Sequence, residues 1–98
     1  RMKTLKEIVE ISTAHKDELK KRYKIKEVGI FGSFVRNEQK ETSDIDILVE
    51  FEEAPDLLKF IEIERYLEML LGLRVELIRK SVLRKELKER ILKEVVNI

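Results

Sequence analysis

Asp44 and Asp46 stand one residue apart at the head of an apolar run, Ile45-Asp46-Ile47-Leu48-Val49. In an extended strand, residues i and i+2 share a face with Cα atoms roughly 6.5–7 Å apart, so the two carboxylates project together. Carboxylates held that close repel each other unless a cation lies between them. An oxygen-only pair suits Mg2+, which takes one or two protein carboxylates and completes its octahedron with water and phosphate oxygens. Upstream, the run Val28-Gly29-Ile30-Phe31 ends in Gly32-Ser33. Gly32 has no side chain to hold a phosphate away, and Ser33 offers a hydroxyl and a backbone N–H at the start of a helical turn. A metal-binding pair facing a phosphate cradle is the arrangement expected of a nucleoside-triphosphate site.

Two further residues extend the constellation. Glu76 is the one charge inside the apolar segment Val75-Glu76-Leu77-Ile78, and Arg36 follows Ser33 by about one helical turn. Three carboxylates together invite a two-ion site that clamps the attacking and leaving oxygens of a displacement at phosphorus. In that reading Asp44 and Asp46 bridge both Mg2+ ions, Glu76 helps hold one of them, and Gly32, Ser33 and Arg36 hold the β- and γ-phosphates. Attack at the α-phosphorus would expel pyrophosphate. Taken singly, an Asp-x-Asp at a strand edge, a Gly-Ser turn, a strand Glu or a surface Arg has an ordinary structural explanation. Together each supplies what another lacks.

The elements that must position these groups are legible in the hydrophobic pattern. Residues 4–23 carry Leu5, Ile8, Val9, Ser12, Leu19 and Tyr23 on one face and are expected to form a helix. His15 falls in its polar middle and takes no role. Residues 27–31 and 45–51 are expected strands, joined by a polar loop that begins with a short helical turn. Pro55 is expected to open a helix over about 56–71, where its missing N–H costs nothing, with Leu57, Phe60, Ile61, Ile63, Leu67, Leu70 and Leu71 on its core stripe and Gly72 as a left-handed stop. Residues 74–79 form a third strand. Ser81 is expected to cap a last helix whose core face is Leu83, Leu87, Ile91 and Val95. For Gly32-Ser33 to meet Asp44 and Asp46, the first two strands must be antiparallel neighbours. The helix between strands two and three makes those two parallel and brings Glu76 to the same sheet end. The fold class is α/β (α+β): a small mixed sheet packed with helices.

Composition limits the alternatives. The 98 residues are 43% apolar and 42% charged, which fits one small domain with a single core. Lys+Arg at 21 nearly cancel Asp+Glu at 20, so bulk charge does not nominate nucleic acid as a direct partner. The absence of cysteine excludes disulfides and thiolate metal sites. No apolar run approaches the roughly 20 residues of a membrane span, and no signal-peptide pattern opens the chain, so a cytoplasmic protein without a membrane partner is expected. Arg1 ahead of Met2 reads as an added residue and is set aside.

Phe31-Gly32-Ser33-Phe34-Val35-Arg36 followed by Ser43-Asp44-Ile45-Asp46-Ile47-Leu48-Val49 resembles the signature of the DNA polymerase β-type nucleotidyltransferase superfamily, and within it the minimal nucleotidyltransferase (MNT) family. The likeness extends over nearly the whole chain, including Leu70-Leu71-Gly72-Leu73 and Val75-Glu76-Leu77-Ile78. It implies the polymerase β-type nucleotidyltransferase fold. It also implies Asp44, Asp46 and Glu76 as catalytic metal ligands, Gly32 and Ser33 as the phosphate-binding pair, and Arg36 as a phosphate contact. MNT proteins pair with HEPN-domain toxins as antitoxins, and the resemblance implies transfer of AMP from ATP to a tyrosine hydroxyl of such a partner. Two positions depart from the family pattern: Glu76 replaces the commoner Asp, and Asn37 stands where Gly is frequent, though Asn tolerates a left-handed backbone.

A small single-domain chain leaves no second domain for a nucleic acid primer or a small acceptor, so a partner protein is expected to bring the acceptor hydroxyl. Two alternatives stand beside the enzyme. One is an antitoxin with a vestigial site that neutralises its partner by binding alone; the other transfers nucleotide to an antibiotic or a nucleic acid with the help of an additional subunit.

Overall fold

The computed structural model describes residues 3–98, and Arg1 lies outside them. Thr4 begins the first helix, α1 (Leu5–Ala14), through a reciprocal capping box: Thr4 Oγ1 accepts from Glu7 N and Glu7 Oε1 accepts from Thr4 N, both at 3.2 Å. The single helix expected over 4–23 is in fact two. At His15 the backbone leaves helical geometry (φ −111°, ψ 7°), its N–H turns back to Ser12 O, and α2 (Lys16–Tyr23) begins. Thr13 and Ala14 are exposed, so no packing holds the helix straight there. His15 Nδ1 lies 2.9 Å from Ile11 O, which gives this part-buried ring a local structural tie. The expected core face survives the break, since Ile8, Ser12, Leu19 and Tyr23 are all buried.

Strand β1 (Ile25–Phe31) starts two residues earlier than the pattern indicated. It pairs antiparallel with β2 (Ile45–Phe51), which pairs parallel with β3 (Val75–Arg79) through the connecting helix α3 (Leu57–Leu71). Asp56 caps α3 by accepting from Lys59 N at 2.8 Å, and Gly72 stops it in the left-handed region (φ 67°). Pro55 therefore precedes the cap and does not occupy the first helical position. A 3-10 turn (Lys80–Val82) contains Ser81, which caps nothing; α4 (Lys85–Glu94) starts three residues later from Arg84, without a side-chain cap. The chain then closes with a short strand the hydrophobic pattern did not show, β4 (Val96–Asn97), paired with β1 at Gly29 and Ile30. The sheet order among the described residues is β3-β2-β1-β4.

Alternation along the strands divides the core. Val28, Ile30, Ile45, Ile47, Val49, Val75 and Leu77 face α1, α2 and α3 and form the main cluster with Ile8, Leu19, Ile63, Leu67 and Leu71. On the other face, Phe31 and Leu48 pack against Ile91 of α4, with Ile78, Leu83 and Val95 at the margin. Not every apolar residue on the helical stripes reaches the core: Leu57 is 72% exposed, and Ile61 and Leu87 also stay at the surface. Leu57 is the first residue of α3, whose buried residues begin only at Ile63. Asp46 and Glu76 lie one position out of phase with Ile45, Ile47, Val75 and Leu77, so the strands carry them on the α4 face.

Candidate active site

The strand register brings Gly32, Asp46 and Glu76 together, while Ser33 and Asp44 lie beside them outside the lining of the cleft. Phe31, the last residue of β1, pairs with Asp46, and Asp46 pairs with Glu76 on β3. Gly32, Asp46 and Glu76 thus meet on three adjacent strands at one sheet end. Asp44 lies just ahead of β2 and is exposed, its charge acting on Asp46, which is half-buried, and Glu76 is exposed. The carboxyls of Asp46 and Glu76 approach within hydrogen-bonding contact. Burial, followed by that contact, by the charge of Glu76 and by that of Asp44, pushes the Asp46 carboxyl up to about 6.

Gly32 is required twice over. Its φ of 84° is a conformation that side chains rarely adopt, and a Cβ there would overlap the Asp46 carboxylate. The backbone then makes a tight turn in which Val35 N and Arg36 N donate to Gly32 O at 3.0 and 3.2 Å and Glu38 N donates to Ser33 O at 2.9 Å. Phe34 is buried in the main core and anchors the turn. Asn37 takes the left-handed conformation (φ 58°), as its side chain allows. Ser33 is part-exposed directly after Gly32. Ser43 Oγ accepts from Lys40 N at 2.8 Å, holding the far end of the loop where it enters Asp44.

Arg36 does not point to empty space. Its Nε donates to Glu38 Oε1 at 2.7 Å, and its Nη1 lies 3.0 Å from both carboxylate oxygens of Glu94, the last residue of α4. Glu94 Oε2 also accepts from Gly32 N at 2.6 Å. Partial burial raises the Glu94 carboxyl, but the Gly32 N–H and the Arg36 guanidinium outweigh it and hold it below the usual carboxylate range. Sequence reasoning missed Glu94. It lies 58 positions from Arg36 in a helix crowded with Lys and Glu, where nothing local distinguishes it. Arg90, one helical turn earlier, faces the same cleft and is equally unmarked by local pattern.

These groups line a cleft of about 290 Å3 between the sheet end and α4, polar at Gly32, Arg36, Asp46, Glu76 and Glu94 and apolar toward Ile78, Leu83 and Leu87. A larger cleft of about 420 Å3 lies against Val49, Phe51 and Arg79 at the opposite end of the strands and contains none of the expected site residues. Chemistry selects the smaller one. Among the described residues no three carboxylate or imidazole side chains close around a common point, so the three acids share a sheet end without forming a cage. The donor set nevertheless fits Mg2+. The Asp46–Glu76 pair supplies oxygens whose mutual repulsion a divalent cation would relieve, and Mg2+ needs one or two carboxylates when phosphate and water complete its shell.

Comparison with known proteins agrees with the fold. A family model described as the nucleotidyltransferase domain matches residues 13–98. The chain is 59% identical over 97 residues to a protein adenylyltransferase, MntA, of Thermococcus cleftensis, covering 99% of this chain and 98% of that protein. A solved structure of a candidate minimal nucleotidyltransferase superposes with a TM-score of 0.76 at 33% identity, covering 93% of this chain and 95% of the other. The same fold is found in a Shewanella oneidensis complex of a tri-AMPylated HEPN toxin with an MNT antitoxin, with a TM-score of 0.65 at 19% identity over 90% of this chain and 69% of that one. A family match across most of its length, and a nearly full-length relative sharing more than half its residues, make this chain a nucleotidyltransferase of the minimal, protein-adenylyltransferase family.

Proposed function

We propose that this chain transfers AMP from ATP to a tyrosine hydroxyl of a HEPN-domain partner, in a Mg2+-dependent reaction that makes it the antitoxin of a toxin–antitoxin pair. The observation that carries the reading is the meeting of Asp46, Glu76 and the Gly32 turn at one sheet end, beside a cleft open on one side. The Thermococcus relative supports protein adenylylation as the reaction, and the Shewanella complex supports a HEPN toxin as the acceptor class.

In this reading the residues divide the work. Gly32 lets the phosphate chain approach the backbone, and Ser33 with Arg36 would hold the β- and γ-phosphates by charge-assisted hydrogen bonds. Asp44, Asp46 and Glu76 would hold two Mg2+ ions. When bound, those ions neutralise phosphate charge and make the incoming hydroxyl more acidic. The open side of the cleft admits the tyrosine; its oxygen forms a new bond to the α-phosphorus as the bond to the β-phosphate bridging oxygen breaks, and pyrophosphate leaves. Glu76, exposed at the sheet end, would receive the hydroxyl proton. The apolar end formed by Ile78, Leu83 and Leu87 gives a purine base a dry surface.

The test is incubation of the purified protein with MgATP and its HEPN partner, read by intact mass. Gain of AMP units on the partner, lost in an Asp44→Asn/Asp46→Asn double variant that still forms the complex, supports transfer. Neutralisation of the toxin without mass gain, unchanged in the double variant, would replace this reading by inhibition through binding alone.

A further inference from the structure

Glu94 occupies the position the proposed function gives to phosphate. Its carboxylate accepts from the Gly32 N–H at 2.6 Å and lies 3.0 Å from Arg36 Nη1 through both oxygens. A backbone N–H at a left-handed glycine and a guanidinium, converging on one anion, form an oxyanion site, and here the anion is part of the chain. The tie is long-range, since it joins the last residue of α4 to the turn after β1. It is only partly sheltered, the Glu94 side chain being 27% exposed while Arg36 is 48% exposed. Surface ion pairs of ordinary geometry contribute little, but a carboxylate held by two donors, one of them charged, is a stronger arrangement.

We infer that Glu94 is an internal competitor for the phosphate site, which the triphosphate must displace before Gly32 and Arg36 can bind it. This rests on the nucleotide reading of the cleft given above. The same helix offers the displaced carboxylate a second partner. Arg90 precedes Glu94 by four residues, a spacing that puts both on one helix face, and its charge already acts on the Glu94 carboxyl. A rotamer change would carry Glu94 from Arg36 to Arg90 without moving α4, whose C-terminal end is held by the pairing of Val96 and Asn97 with β1. The residue thereby sets nucleotide affinity: it closes the anion site in the empty protein and withdraws on loading.

The experiment compares wild type with Glu94→Gln and Glu94→Asp, measuring the Kd of inorganic triphosphate and of MgATP by calorimetry and the steady-state KM and kcat of AMP transfer. Glu94→Gln removes the competing charge at constant size. It should bind inorganic triphosphate about ten-fold tighter, which corresponds to about 1.4 kcal/mol, and should lower KM for ATP with kcat changed far less. Glu94→Asp, with the charge retained but drawn back by one methylene, should fall between the two and serves if the Gln variant does not fold. Arg90→Ala should weaken triphosphate binding in the wild-type background and have little effect beside Glu94→Gln. Equal or weaker triphosphate binding by Glu94→Gln would overturn the inference and leave Glu94 a structural tie. If wild type still binds and transfers in that case, the functional reading stands without it. If no variant binds triphosphate, both fall. If Glu94→Gln binds triphosphate tightly and no AMP is transferred, the competitor role holds while the transferase reading fails.

Discussion

Gly32→Ala tests the site where backbone geometry and chemistry meet. The residue has a φ of 84°, so an alanine there costs about 1–2 kcal/mol from backbone strain alone. In a domain of this size that lowers the melting temperature by roughly 5–15 °C. The added methyl also overlaps the Asp46 carboxylate, the movable end of a side chain, so Asp46 must swing aside. Displacing a reacting group by about 1 Å can cost roughly 100-fold in rate, and AMP transfer should fall at least that far. Gly72→Ala provides the control. Gly72 is equally left-handed (φ 67°), but its Cβ would meet only the tip of Lys3 at 3.1 Å, far from the carboxylates. It should show a comparable loss of stability in guanidinium titration, with transfer per folded molecule unchanged. The reasoning is refuted if Gly32→Ala transfers AMP within a few-fold of wild type, or if Gly72→Ala loses transfer to the same extent.

Asp46→Asn should be more stable than wild type in the metal-free protein at pH 8. Because the folded-state carboxyl is raised to about 6 from 3.8, folding holds its proton more tightly, and wild type loses stability as pH rises from about 4 through 6. Screening at this part-exposed site limits the gain to about 1 kcal/mol; guanidinium midpoints in EDTA should separate across that window and converge below pH 4. Adding Mg2+ with triphosphate should raise the wild-type midpoint and leave that of Asp46→Asn unmoved. Asn37→Gly relieves a left-handed backbone (φ 58°) at the site loop and should preserve transfer while changing stability by less than about 1 kcal/mol. Asp56→Ala removes the cap of α3 and should cost about 1 kcal/mol in denaturant titration, with no change in transfer.

The candidate site is largely written in local pattern. Asp44 and Asp46 at a strand head, Gly32-Ser33 at a strand end and Glu76 inside an apolar run define the strands by alternation. Once those strands exist, the demand that the groups share a site leaves only the antiparallel and parallel pairings observed. The misreadings were of boundaries and exposure. Whether residues 4–23 bend at His15, or whether Ser81 caps a helix, depends on differences of backbone energy smaller than tertiary packing supplies. Leu57 and Leu87 fit the helical stripes yet stay exposed, because periodicity assigns a face without saying how far the sheet beneath it extends.

By itself, then, the chain determines where the carboxylates, the glycine turn and the strands that carry them lie, since each is encoded within a few residues by side-chain type and a period of two. The tertiary structure alone decides what stands opposite. That the Glu94 carboxylate meets Gly32 N and Arg36, and that Val96 and Asn97 hold α4's end against β1, are contacts between segments some sixty residues apart. No local period reports such contacts: they arise only when the packing of Ile91 on Phe31 and Leu48 sets α4 across the sheet end.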